Sequence, residues 1–156
     1  MIEITIPGKG TIKIEHLVCD VNGTLAVDGQ LLPGIAEAIA SIQGKVQVHL
    51  LTADTHGKQY LIDEQLNLKA DRVAPGDEAN QKAAYIQKLG AKSTAAIGQG
   101  ANDSAMLKTA ILGIAVLSPE GTAVATLLAS DIVTPNTLAA FELLLKPVRI
   151  TATLRK

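Results

Sequence analysis

Aromatic side chains are nearly missing from this chain: two Tyr, one Phe and no Trp. The core must therefore be aliphatic, and so few rings speak against stacking on nucleic-acid bases. A surplus of either charge is missing too. Lys and Arg number 14 against 15 Asp and Glu, so no basic footprint for DNA or RNA is visible. Cys19 is the only cysteine, which rules out a disulfide within the chain and a cysteine cluster for zinc. The apolar runs are too short to span a bilayer, so no membrane insertion is expected. The opening MIEITIPGKG lacks a basic stretch followed by an apolar one, which argues against a signal peptide. A reducing, cytoplasmic setting is the expectation.

What is present is enough for one folded domain over residues 1–156, with 47% hydrophobic residues. Residues 2–15 alternate isoleucine with polar side chains around a PGKG turn, the pattern of a β-hairpin. The apolar run HLVCD at 16–20 reads as a buried parallel strand. Asp28-Gly29 is a second turn signal, and Pro33 opens a helix that closes near Gly44. Strands are then predicted at 46–52, 71–75, 94–98, 112–117 and 131–134. Helices are predicted between them at 57–67, 78–89, 102–110 and 122–129, with a last one at 137–145. The tail RITATLRK reads as an edge strand or a frayed end. Such alternation predicts a three-layer α/β/α, Rossmann-like fold with a mostly parallel sheet, plus the N-terminal hairpin.

In a sheet of this kind ligands bind at the carboxyl ends of the strands. Those ends carry Asp20, Thr52 and the run Gly98-Gln99-Gly100-Ala101-Asn102-Asp103, with Lys82 in the helix after the third strand. Each has a task if the ligand is a phosphoryl group. Asp20 can act as nucleophile and form an aspartyl phosphate. The N–H groups after it, freed by Gly23, can cradle oxygens. Thr52 can donate its hydroxyl, and Lys82 can neutralise charge. Asp103 can hold Mg²⁺ beside Asp20, because Mg²⁺ needs only one or two carboxylates and keeps several waters. Phosphoryl transfer asks mainly for positioning and charge compensation.

Several motifs resemble the haloacid dehalogenase (HAD) superfamily, and most closely the phosphorylation domain of P-type ion-pumping ATPases and their small relatives. DVNGTL resembles the D-x-x-G-T loop, LLTADT the L-T-G-D strand end, and KAAYIQKL the helix that begins with the active-site lysine. IGQGANDSAMLKTAILGIAV resembles the pumps' G-D-G-x-N-D segment, and GTAVATLLASDIV continues the similarity. The match runs in order over residues 16–134. The resemblance implies a HAD-type fold, a phosphorylated substrate and Mg²⁺. It implies Asp20 as the phosphorylated nucleophile, with Asn22, Thr52 and Lys82 completing the catalytic group. It implies a metal site of Asp20, the carbonyl of Asn22, Asp103 and the Gln99 position. It implies phosphate contacts from Gly23, Thr24, Thr52, Ala53, Lys82 and Asn102, the last also bonding to the lysine or the phosphate.

Two departures from the family pattern bear on rate. Phosphatases of the family have an aspartate where Asn22 stands, and an amide cannot move a proton. Acid–base help is worth about 10²–10⁴ in rate, so slow hydrolysis is expected. Gln99 replaces an aspartate, which makes the metal site less negative. Its amide oxygen can still accept a bond from a metal-bound water. The connections leave no room for a cap domain, and the pumps' nucleotide-binding insert is missing. An open site suits a large substrate or a pocket completed by a second subunit, for which the 2–15 hairpin is the candidate contact. The competing reading is a non-catalytic phosphate- and Mg²⁺-binding regulatory module, related to an ion-transporting ATPase.

The remaining polar residues read more plainly. Asp28 is a turn residue first, His56 and the lysines Lys88 and Lys92 are surface residues, and His16 and His49 pack within strands. Cys19 should point into a packing face, because neighbours on a strand alternate.

Overall fold

Alternate isoleucines send one face of the N-terminal hairpin inward. The computed structural model describes residues 1–54 and 57–156, so His56 lies outside the described residues. Strands β1 (Ile2–Ile6) and β2 (Gly10–Ile14) pair antiparallel, with Ile4 opposite Ile12. Ile2, Ile4, Ile6 and Ile14 are buried. Each such side chain contributes about 1.5–3 kcal/mol on leaving water. That apolar face is thus used within the chain, and the hairpin offers a second subunit only its polar side, which carries Glu3 and Lys13.

The central strand β3 (His16–Asp20) runs into a loop, then the short pair β4 (Ala26–Val27) and β5 (Gln30–Leu31). Asp28 and Gly29 between them both have positive φ, 52° and 77°, as an Asp-Gly hairpin turn requires. Helix α1 (Ile35–Gln43) leads to β6 (Gln47–Thr52), α2 (Gln59–Leu66) to β7 (Asp71–Arg72), and α3 (Glu78–Leu89) to β8 (Thr94–Gly98). Then come α4 (Ser104–Thr109), β9 (Leu112–Val116), α5 (Val124–Ala129), β10 (Ile132–Thr134) and α6 (Thr137–Leu145). The six-stranded sheet has the order β10-β9-β8-β3-β6-β7, and every pair in it is parallel.

Strand alternation divides the core between the two faces. Leu17 and Cys19 point to the side of α1 and α6, where Ile35, Ile39 and the single Phe, Phe141, are buried. Val18, Leu51 and Ala96 point to the other side, against Ile86, Met106 and Leu107. The chain builds outward from β3 through β6 to β7, then returns to β8 on the other flank of β3. The reversal leaves a crevice at the carboxyl ends of β3 and β8, where ligands bind in such sheets.

The C-terminal tail departs from expectation. It is neither strand nor frayed but a helix, α7 (Pro147–Leu154), with Pro147 at its start and Ile150 fully buried. Thr151 Oγ1 donates to the Thr5 carbonyl at 3.0 Å and ties the helix to β1. Ile150, Ala152 and Leu154 alternate like a strand, yet Ile150 and Leu154 also sit four apart on one helical face. The inward isoleucines of the hairpin decide between the two readings.

Candidate active site

Asp20 is the last residue of β3 and only 4% exposed. Its Oδ1 accepts from Lys82 Nζ at 2.7 Å, and its Oδ2 from Thr24 Oγ1 at 2.8 Å. Lys82, one turn into α3, is 1% exposed and gives a second bond of 2.7 Å to Asp103 Oδ1. Asp103 is fully buried, and its Oδ2 accepts from the N–H groups of Gln99 and Gly100, both at 2.9 Å. Residues 62 and 21 positions apart thus meet around one ammonium.

The charges there do not balance, because two buried carboxylates share one ammonium. Burial first and Asp103 second push the Asp20 carboxyl up to about 7, although Lys82 and Thr24 pull the other way. Burial alone would lower the Lys82 ammonium. The two carboxylates outweigh it and hold the group above its usual value, so it stays charged. Cys19, next to Asp20, is the reverse of a reactive thiol: burial and then the Asp20 charge push it well up.

Asn22 is turned to Thr52. Its Nδ2 donates to Thr52 Oγ1 at 3.1 Å, and the Asp54 N–H donates to the same oxygen at 2.9 Å. A hydroxyl oxygen has two lone pairs, and both are taken, so what Thr52 has left to offer is its O–H. An aspartate at position 22 would compete for that proton, whereas the amide fixes Thr52 as a donor.

The loop itself differs from the expected cradle. The Gly23 N–H is spent on the Ala26 carbonyl at 2.7 Å and the Thr24 N–H on Val21 at 3.1 Å. A turn this tight consumes its own donors. The N–H groups of Asn22 and Ala53 have no acceptor among the described residues. Gly23 matters for space: at φ 80°, a Cβ would meet Gln99 Nε2 at 2.5 Å. Gln99 lies over this glycine and donates Nε2 to the Gly121 carbonyl at 3.0 Å, fastening the segment after β9 to the loop. Asn102 bonds neither Lys82 nor Asp20. Its Nδ2 donates to Glu78 Oε2 at 2.7 Å, and Glu78 is a site-rim residue that sequence reading missed. Glu78 stands four before Lys82 on the same helical face, but an acid in a helix's first turn is ordinary there and marks no site by itself.

No family model matches the chain. An uncharacterised protein of Methanocaldococcus jannaschii is 40% identical over 92 residues, which is 56% of this chain and 99% of that protein. The probable copper-importing P-type ATPase A of Enterococcus hirae is 31% identical over 99 residues, 62% of this chain but only 14% of the pump. Among solved structures, the 3-deoxy-D-manno-octulosonate 8-phosphate phosphatase of Moraxella catarrhalis, in complex with magnesium, phosphate and KDO, superposes with a TM-score of 0.69 at 20% identity. That match covers 89% of this chain and 90% of the phosphatase. A zinc-transporting PIB-type ATPase in its E2.Pi state gives a TM-score of 0.61 at 27% identity over 79% of this chain and 20% of the ATPase. In sequence the chain is similar to P-type ATPases over the stretch they share, and in fold it is similar to haloacid dehalogenase phosphatases and to the phosphorylation domain of P-type ATPases.

Proposed function

We propose that the protein is a single-domain, capless HAD phosphatase that acts slowly on a phosphorylated substrate in the cytoplasm, through an aspartyl phosphate on Asp20. The observation that carries this reading is the Lys82 ammonium, 2.7 Å from both Asp20 and Asp103. One positive charge between two buried carboxylates leaves a negative charge uncompensated. The site therefore fits a divalent cation with oxygen ligands, for which Asp20, Asp103 and the Asn22 carbonyl would serve, with Gln99 reaching only a metal-bound water. Magnesium bound there supplies charge compensation for the phosphoryl oxygens.

The chain's own groups account for the remaining work. Lys82 and Thr24 hold the Asp20 carboxylate in one orientation for attack at phosphorus. Thr52, its lone pairs occupied, gives its O–H to a phosphoryl oxygen, and the N–H groups of Asn22 and Ala53, which have no acceptor among the described residues, would do the same. Lys82 stays protonated and offsets charge as it develops.

The test is mass spectrometry after treatment with acetyl phosphate and Mg²⁺. A gain of one phosphoryl group on Asp20, absent from Asp20→Asn, is expected. Equal hydrolysis of p-nitrophenyl phosphate by wild type and Asp20→Asn would leave only a binding module.

A further inference from the structure

Resting on that reading, we propose that Glu78 supplies the proton-accepting group that Asn22 cannot, as general base for hydrolysis of the aspartyl phosphate. The other polar groups of the site are committed elsewhere. Asn22 has no titratable proton, and its amide is fixed on Thr52. Lys82 is held charged and has nothing to accept with. Asp103 gives one oxygen to Lys82 and the other to two N–H groups, out of contact with solvent. Asp54 accepts from the Gln59 N–H at 3.1 Å and from Arg72 at 3.4 Å, on the side of α2.

Glu78 is placed differently. It is the first residue of α3, one turn before Lys82 on the same face, where side chains four apart stand about 5–6 Å from each other. Side chains on a helix lean toward its N-terminus, so Lys82 leans toward the turn that carries Glu78. Asn102, beside Asp103, holds Glu78 Oε2 at 2.7 Å. The carboxylate is thus bracketed by the neighbours of both site acids. It is half-buried, so a proton taken inside can leave to solvent.

The step balances. A water oxygen attacks phosphorus, and the bond from phosphorus to the Asp20 oxygen breaks with its electron pair returning to the carboxylate. The water's proton passes to Glu78 and from there to bulk water. The products are inorganic phosphate and the free Asp20 carboxylate.

The experiment separates the two half-reactions. Acetyl phosphate expels acetate, a stable anion that needs no proton, so phosphorylation of Asp20 should be the same in wild type and Glu78→Gln. Glutamine keeps an oxygen to accept from Asn102 and loses only the ability to take a proton. In a chase with excess unlabelled acetyl phosphate, the Glu78→Gln phosphoenzyme should decay about 10²-fold more slowly or worse. Glu78→Asp should recover part of that loss. Decay within about threefold of wild type, or an equal loss in both half-reactions, overturns the proposal, since acid–base help is worth far more than threefold and acts on one step. No phosphoenzyme in wild type would remove the functional reading itself, and this proposal with it.

Discussion

Strand β3 begins at His16 and ends at Asp20, and each of these residues belongs to a polar cluster. At the carboxyl end, two buried carboxylates share one ammonium. From the amino end a chain of bonds runs along the sheet: His16 Nδ1 meets His49 Nε2 at 3.1 Å, His49 Nδ1 meets the Tyr85 hydroxyl at 3.2 Å, and that hydroxyl donates to Asp71 Oδ2 at 2.6 Å. The Tyr85 proton goes to Asp71, so His49 must donate from Nδ1 and accept at Nε2, and His16 donates from Nδ1. Helix α3 serves both clusters, with Lys82 for one and Tyr85 for the other. The amino-end chain has each donor matched to an acceptor and stays half open to water. The carboxyl-end cluster is buried and short of positive charge. A satisfied polar network serves the fold, whereas a buried imbalance implies a ligand that corrects it.

The largest break in this comparison is Lys82→Met. It leaves Asp20 and Asp103 buried with no counter-charge, and removing one partner of a buried pair costs about 3–5 kcal/mol. Urea unfolding in the presence of a chelator should show that loss. Adding Asp20→Asn to the same chain should recover part of it, because one of the stranded charges is then gone. A single variant as stable as wild type would mean that the carboxylates were not held by the lysine.

The two ends should also titrate with opposite signs. The Asp20 carboxyl, ordinarily near 3.8, is raised to about 7, so between those values the folded state keeps a proton that the unfolded chain has lost. Its contribution is full below 3.8 and drains as pH rises toward about 7. His49 is lowered from 6.5, by burial first and then by His16, with Asp71 pulling it back up. There the unfolded chain binds the proton first, so stability falls as pH drops below 6.5. Thermal midpoints in chelator from about pH 5 to about pH 8 should fall for wild type, because the Asp20 slope is the larger and His49 offsets only part of it. Asp20→Asn should leave a midpoint that rises with pH, and His49→Gln one that falls more steeply. Parallel curves for wild type and Asp20→Asn would contradict the charge imbalance at the site.

These two clusters were not equally readable in the sequence. Asp20, Thr52, Lys82 and Asp103 stand at strand ends and in one helix's first turns, where the α/β pattern directs attention, and α3, β8 and α6 have the expected bounds. The amino-end chain joins residues 33 and 36 positions apart from mid-strand and mid-helix, and nothing local marks such a partner. Glu78 was hidden for another reason: an acid in the first turn of a helix is ordinary there, by the helix dipole alone. The loop donors of Gly23 and Thr24 were misread because sequence shows that a turn forms, but not which N–H groups the turn consumes.

Tyr85→Phe is the smallest change and the one that tests whether the ends are independent. It removes the acceptor of His49 and the donor to Asp71 and keeps the ring. Asp71 is exposed and regains water, so the loss falls mainly on the half-buried His49, about 0.5–1.5 kcal/mol. For a domain of this size that lowers the midpoint by about 1–6 °C. Phosphorylation of Asp20 should not change, although Tyr85 is three residues beyond Lys82 on the same helix. The Lys82 ammonium is fixed by two bonds of 2.7 Å that do not pass through the tyrosine. A fall in phosphorylation rate larger than the fall in stability would show that α3 carries strain from one end of the sheet to the other, and the two clusters would then be one device.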